Sequence, residues 1–345
     1  MIKNHVGIVG TGIYLPEGRM TAAQIAQATN GVWSAEAIAD KLGIVEKRVP
    51  QNPETDGTQE MGALAALDCL KNTGVDPREI DVILCMGEEW KEYPLTTSAL
   101  YIQDRIGAVN AWGIDVQNRC CTTVSAMKIA KDMLMADDEI NTIMVVGGYR
   151  NSDFVDYTDR NMSMMYDLGA GGGAILLRKN LGRNQLLGSH IIGDGSLARS
   201  AGVEYDGHVK PINAENYQEA YKSLRLFEPE RMKDRLKEVS AANWARCIAE
   251  SLRKSGLEQK DLTYLATLHY KRSAHLAFLA DLGLSEEQSI YLENHGHIGQ
   301  VDQILSLHLA LEQGKVQDGS VICMLAAGIG YVWAANIIKW GPVRA

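Results

Sequence analysis

Two stretches of this chain can be laid over each other without a gap. "ALDCLKNTGVDPREIDVILCMG" (66–87) and "IAESLRKSGLEQKDLTYLATLH" (248–269) match at an offset of 182, with Leu70 over Leu252, Gly74 over Gly256 and Ile80 over Leu262. Each copy reads as a helix, a glycine stop, an acidic turn and a buried strand. A second pair, "TIMVVGGY" and "VICMLAAG", follows in the same order at a similar offset. Two ordered matches imply a duplicated fold. Around them, apolar runs that read as strands (6–13, 81–87, 141–148, 173–177, 262–269, 320–328) alternate with helical patterns at 58–73, 121–136, 240–255 and 299–314. The alternation predicts an α/β architecture with largely parallel strands. The expected halves are residues 1–178 and 179–345. The polar region 195–235 is expected to be loops and a cap over a pocket.

The stretch "VQNRCCTTVSAMKIA" (116–130) carries the chemistry. An extended run ends on two adjacent cysteines and becomes an amphipathic helix. A cysteine at a helix N-terminus meets unpaired N–H groups and the positive end of the dipole, which favour the thiolate nucleophile. Cys69, Cys85, Cys247 and Cys323 lie inside helix or strand patterns and read as small core residues. Position alone leaves the choice between Cys120 and Cys121 open. The cysteines form no CxxC pair, and Cys and His do not cluster at ligand spacing, so zinc is not expected. The net charge of −9 gives no reason to expect nucleic acid. No window approaches a membrane span, and the amino terminus reads as a mature start, so a cytoplasmic protein with reduced thiols is expected.

"GIDVQNRCC", followed by a helix, resembles the nucleophile segment of the thiolase-fold condensing enzymes, above all ketoacyl-ACP synthase III and 3-hydroxy-3-methylglutaryl-CoA synthase. There the reactive Cys stands five residues after an Asp, and Asp115 plus five is Cys120. The resemblance runs on through "GTGIYLPEGRMTAAQIA", "KLGIVEKRVP", "DFVDYTDR", "GAGGGAILL" and "GIGYVWAANIIKW". It implies a thiolase-like duplicated fold, layered α-β-α-β-α with two mixed sheets. In "LATLHYKR", His269 matches the family's strand-end histidine. In "ENHGHIGQ", His297 stands where synthase III enzymes have Asn, and a neutral imidazole can donate one hydrogen bond as that amide would; His295 reads as a turn residue. In "CMGEEWKEYP", Glu89 matches the proton-transferring Glu of the hydroxymethylglutaryl synthases.

The resemblance further implies an acyltransferase that forms a carbon–carbon bond by Claisen-type condensation. An acyl group from acyl-CoA, held on Cys120, would be attacked by a malonyl or acetyl thioester, with His269 and His297 stabilising the enolate. The alternatives are a hydroxymethylglutaryl-synthase-like or thiolase-like enzyme acting between CoA esters, or a non-catalytic partner subunit. No permanently bound cofactor is implied: acyl-CoA and acyl-carrier-protein thioesters are substrates. Trp33, Lys41 and Arg160 match CoA-binding positions. The fold family also implies a homodimer, with strand 141–148 buried against the twin.

Overall fold

The computed structural model describes residues 5–343. Thirteen strands are assigned among them: β1 Val6–Tyr14, β2 Arg19–Thr21, β3 Glu46–Arg48, β4 Val82–Met86, β5 Trp112–Val116, β6 Thr142–Tyr149, β7 Gly171–Lys179, β8 Arg183–Gly193, β9 Ala201–Val203, β10 Leu224–Leu226, β11 Tyr264–Thr267, β12 Val321–Gly328 and β13 Val332–Pro342. The helices are α1 Ala22–Ala28, α2 Ala35–Leu42, α3 Thr58–Thr73, α4 Ser98–Ile106, α5 Thr122–Ala136, α6 Tyr217–Ala220, α7 Pro229–Ser255, α8 Arg272–Leu282 and α9 Asp302–Glu312.

The main sheet runs β11-β12-β13-β8-β1-β7-β6-β4-β5. Its two parts touch only between β1 and β8, through the single pair Gly7–Gln185. On one side β4 pairs parallel with β5 and β6, and β6 pairs antiparallel with β7. On the other, β11 pairs parallel with β12 and β12 antiparallel with β13. The same order thus recurs in each part. α3 and α7 both end on a left-handed glycine, Gly74 and Gly256, the conformation that residue adopts without a Cβ clash.

Three apolar clusters define the layers. Val124, Met127 and Leu134 of α5 and Ile304 and Leu307 of α9 lie between the two sheet parts, against β4, β6, β11 and β12. Ala63, Ala66 and Cys69 of α3 and Ile102 of α4 cover the outer face of the first part. Cys247 and Leu252 of α7 and Leu279 of α8 cover the second. The chain is a mixed α/β protein of five layers, helix–sheet–helix–sheet–helix. A fourth cluster joins α1 and α2 to Tyr149, Tyr166, Leu168 and Ile298 above the carboxyl ends of the strands.

Three expectations are corrected. The region 195–235 contains short elements, β9, α6 and β10, and α7 begins at Pro229, well before residue 240. Its first turns, "PERMKDRLKEV", bury only Met232 fully, so the apolar period there is too sparse to read. Strand 141–148 cannot carry a sheet across a two-fold axis. It corresponds to β6, which is buried along its whole length and hydrogen-bonded on both edges, to β4 and β7. Continuous burial also describes an interior strand. The sheet edge is β5, where Trp112 and Ile114 are exposed.

Helix α3 lies close on the sheet because of glycines. A Cβ on Gly148 would stand 2.0 Å from the Thr58 carbonyl oxygen, and one on Gly172 2.1 Å from that of Met61. Gly148→Ala should therefore destabilise the fold by about 1–3 kcal/mol, the cost of overpacking. Gly182→Ala, whose Cβ would meet nothing within 4 Å, should stay within about 0.5 kcal/mol. Urea melts of both variants test the contrast.

Candidate active site

β5 ends at Val116, and Arg119–Cys121 form one turn of 3₁₀ helix that runs into α5. Arg119 adopts φ +54, a left-handed conformation uncommon for a residue with a side chain. The turn is held from several sides. Asn118 N donates to Thr122 Oγ1 at 2.8 Å, and Thr122 Oγ1 donates to the Arg119 carbonyl at 2.6 Å. Thr123 Oγ1 donates to the Gln300 carbonyl. Gly328, at the end of β12, packs so closely that a Cβ there would lie 2.6 Å from the Asn118 carbonyl. The two adjacent cysteines are thereby placed in different environments. Cys121 is fully buried, its Sγ lies 3.5 Å from the Ala326 carbonyl, and burial pushes its thiol well above the ordinary range. Cys120 is only partly buried and faces the second part of the molecule.

There it meets His297. His297 Nε2 lies 3.0 Å from Cys120 Sγ, and His297 Nδ1 lies 2.6 Å from Asp302 Oδ2. Burial alone would lower the imidazole pKa; its neighbours Cys120 and Asp302 outweigh that and hold it well above the ordinary value. The backbone of His297 is clamped in both directions, by His297 N to the Asp167 carbonyl and by Gly169 N to the His297 carbonyl, each 2.8 Å. The flanking glycines are required. Gly296 has φ +75, and Gly299, at φ +53, touches the ring of Tyr149, which a Cβ would enter at 2.3 Å.

Asp302, at the start of α9, is fully buried and accepts from Ile298 N and His269 N as well, both at 2.7 Å. His269 follows β11 and is buried. Its Nε2 lies 3.0 Å from the Leu42 carbonyl oxygen, and its Nδ1 has no partner among the described residues. Burial lowers its pKa. Its side chain lies 3.9 Å from Asp167, whose pKa burial raises against the pull of both histidines.

Glu89 stands apart from this group. It is paired at 2.8 Å with Arg119, and both side chains are about 40% exposed. The buried carboxyl after β4 is its neighbour Glu88, which accepts from Asn151 Nδ2 at 2.5 Å. Burial pushes Glu88 up to about 7, although Asn151 and Arg119 favour its charge. The sequence pair "GEE" offered both carboxylates, and side-chain direction beyond the strand end decided between them. Asp302 and Glu88 are site residues that sequence reasoning missed. For Asp302 the available signal was an acid five residues after His297 at the head of an apolar helix, a place where acids are common for dipole reasons alone. Tyr149, on a buried strand, gave none.

Trp33 lies edge-on to Tyr166 with ring centroids 6.3 Å apart, and Lys41 Nζ sits 5.5 Å from the Trp33 ring centre. Tyr166 Oη donates to the Asp159 carbonyl at 2.9 Å, which ties the exposed Arg160 to the same end of the molecule. His295 is a half-buried turn residue, lowered to about 4 by burial and by Arg48.

Two outcomes follow. Iodoacetamide should label Cys120 and leave Cys121 unmodified in the folded protein, as read by peptide mapping. Glu88 is raised in the folded state, so its contribution to stability is complete below the ordinary Glu value near 4.5 and is lost as the pH rises through about 7. Glu88→Gln should therefore match the native protein at pH 4 and exceed it at pH 8, by about 3 kcal/mol at most. Thermal melts at the two pH values test the sign.

Two family descriptions match: 3-oxoacyl-[acyl-carrier-protein] synthase III over residues 114–195, and the C-terminal region of the same enzyme over 252–340. The beta-ketoacyl-[acyl-carrier-protein] synthase III of Azobacteroides pseudotrichonymphae is 27% identical over 342 residues, 99% of each chain. That of Syntrophomonas wolfei is 27% identical over 340 residues, 97% of this chain and 98% of the relative. Among solved structures, the synthase III of Aquifex aeolicus superposes with a TM-score of 0.80 at 22% identity, covering 97% of this chain and all of that one. OleA of Xanthomonas campestris superposes with a TM-score of 0.78 at 16% identity, covering 99% of each. These likenesses fix the thiolase fold; the relatives and the matched segments, which carry both Cys120 and the two histidines, identify the chemistry. The chain is a ketoacyl synthase III-like condensing acyltransferase with the thiolase fold.

Proposed function

We propose that Cys120 is the acyl-accepting nucleophile of this condensing enzyme, with His297 as its proton partner and Asp302 as the group that orients and charges His297. The 3.0 Å approach of His297 Nε2 to Cys120 Sγ carries this reading. The thiolate attacks an acyl-CoA thioester, and the imidazolium returns its proton to the departing CoA sulfur. The backbone N–H of Cys120 and those of the closing turn 328–330 are candidates to hold the oxyanion. The acyl-enzyme then meets a carbanion made from a second thioester. His297, reprotonated, is the first donor for the enolate oxygen. His269 joins it only on releasing the Leu42 carbonyl, so its part in the step is smaller than the family pattern implies. The relatives' name supports malonyl-acyl carrier protein as the second substrate, and Trp33, Lys41 and Arg160 supply an aromatic face and cations for the CoA nucleotide.

A second reading, deprotonation of an acetyl thioester in place of decarboxylation, is favoured by one observation. A buried carboxyl that titrates near neutrality stands beyond the end of β4, and it is Glu88. The proton-transfer role read for Glu89 passes to Glu88 under this scheme. We also infer a homodimer formed across β5, where the exposed Trp112 and Ile114 and an unpaired strand edge suit continuation of the sheet. Residues 1–178 and 179–345 are taken as the two duplicated halves, with the acyl-enzyme chemistry at their junction.

Intact-mass spectrometry after incubation with acyl-CoA should show one acyl group per chain, lost in Cys120→Ser. His297→Ala should slow acylation by roughly 10²–10⁴-fold; unchanged acylation would remove His297 from the scheme. With pre-acylated enzyme, Glu88→Gln should slow condensation with acetyl-CoA by a similar factor and leave condensation with malonyl thioesters within a few-fold, whereas Glu89→Gln should affect neither. Light scattering should give a dimer for the native chain and a monomer for Trp112→Lys with Ile114→Lys.

A further inference from the structure

The reacting sulfur is served by one imidazole, not two. A carbonyl oxygen only accepts hydrogen bonds, so the contact between His269 Nε2 and the Leu42 carbonyl requires the proton on Nε2. Burial lowers the ring's pKa and so favours its neutral form, in which Nδ1 is a lone pair with no partner among the described residues. In this state His269 has no N–H to offer an enolate. Condensation needs that oxygen held by donors. Transfer of an acyl group to oxygen or nitrogen needs something else: one base within reach of both the sulfur and the incoming atom, and a carboxylate that holds the base in place and stabilises it once protonated. Cys120, His297 and Asp302 form such a chain, with links of 3.0 and 2.6 Å, the arrangement by which cysteine hydrolases handle acyl groups.

We propose that the enzyme also discharges its acyl-Cys120 intermediate to a hydroxyl or amine acceptor, making an ester or amide. The proposal rests on the acyl-enzyme reading above. After CoA leaves as the free thiol, His297 is neutral. As the acceptor oxygen or nitrogen bonds to the acyl carbon, its proton passes to His297 Nε2. The tetrahedral intermediate collapses with cleavage of the carbon–sulfur bond, and the electron pair returns to Cys120 as thiolate beside the imidazolium. The sum is acyl-CoA plus acceptor giving acylated acceptor plus CoA, with no oxidant or further reactant.

The structure also offers room for a polar acceptor. A cavity of about 340 Å³ borders the nucleophile turn, lined by Gln117, Asn118, Arg119, Asp194, Gly330 and Tyr331 among others. Its wall is mostly apolar, with Ile329 and Val332 among the lining residues, and the Gln117 and Asn118 amides, the Arg119 guanidinium and the Asp194 carboxylate are the polar positions in it that an acceptor's hydroxyl or amino group can meet.

The test uses native enzyme acylated with hexanoyl-CoA and freed of CoA by desalting. Its discharge is followed by intact mass in buffer alone and with glycerol, ethanolamine or malonyl-CoA, and S-hexanoyl-N-acetylcysteine gives the uncatalysed rate. Glycerol or ethanolamine should speed discharge at least tenfold over buffer alone and over the small thioester with the same acceptor, and yield the hexanoyl ester or amide. The rate should fall at low pH, where His297 is protonated and cannot act as base. Discharge by malonyl-CoA alone, with the acyl-enzyme unaffected by glycerol and ethanolamine, would overturn the inference and leave the condensing role intact. Failure to form any acyl-enzyme would overturn both.

Discussion

The site depends on the buried Asp302 carboxylate. Taking an anion out of water is costly unless its lone pairs are matched by donors. Here three donors match them, from Ile298 N, His269 N and His297 Nδ1. They come from three different places: the turn before α9, the end of β11 and the His297 ring. One carboxylate thus fixes the positions of both histidines and, with Cys120, raises the pKa of the one that reaches Cys120. Removing it would leave His297 buried without its counter-charge, and the tendency of burial to neutralise the ring would then be opposed by Cys120 alone.

The duplicated architecture explains why this cluster forms where it does. α5 and α9 are the two helices shared between the sheet parts, and both begin at the same end of the molecule. Cys120 lies just before the start of one and Asp302 at the start of the other, so their N-terminal ends bring the Cys120 thiol and the Asp302 carboxyl into one small volume. The clamp of Gly328 on the Cys120 turn and the bond from Thr123 to the Gln300 carbonyl lock the two parts together at that point. The strained Arg119 belongs to the same design. Its left-handed backbone turns the chain so that Cys121 enters the core while Cys120 stays out of it, which is why two neighbouring thiols have opposite characters.

Much of this could be read from the sequence, because it depends on spacing along the chain. The helix–glycine–strand repeat located the equivalent elements of the two sheet parts. The Asp115-to-Cys120 interval pointed to the residue that now faces His297, and the strand-end and "GHIG" contexts led to both histidines. The misreadings concern properties that spacing does not encode. Whether Glu88 or Glu89 turns inward depends on chain direction after β4, and an apolar run such as 142–149 reads the same in the middle of a sheet as at an interface. Asp302 was hidden because acids at helix starts are commonplace; only its three converging donors distinguish it.

The exchange of an amide for an imidazole at position 297 is therefore more than a conservative replacement. An amide at that position could donate a hydrogen bond but could not take a proton. An imidazole can do both, and that of His297, 2.6 Å from Asp302, lies 3.0 Å from the sulfur. Meanwhile His269, the ring the family pattern would set opposite the nucleophile, has its proton committed to the Leu42 carbonyl. The balance of the site moves from two hydrogen-bond donors awaiting an enolate toward one charged base adjoining a nucleophile. Under the proposed scheme, that balance favours acylation of Cys120, because the imidazole that would take its proton is its own neighbour. On the proposed scheme, what discharges the acyl group depends on which second substrate reaches His297, which would put selectivity in the walls around the Cys120 turn more than in the acylation step.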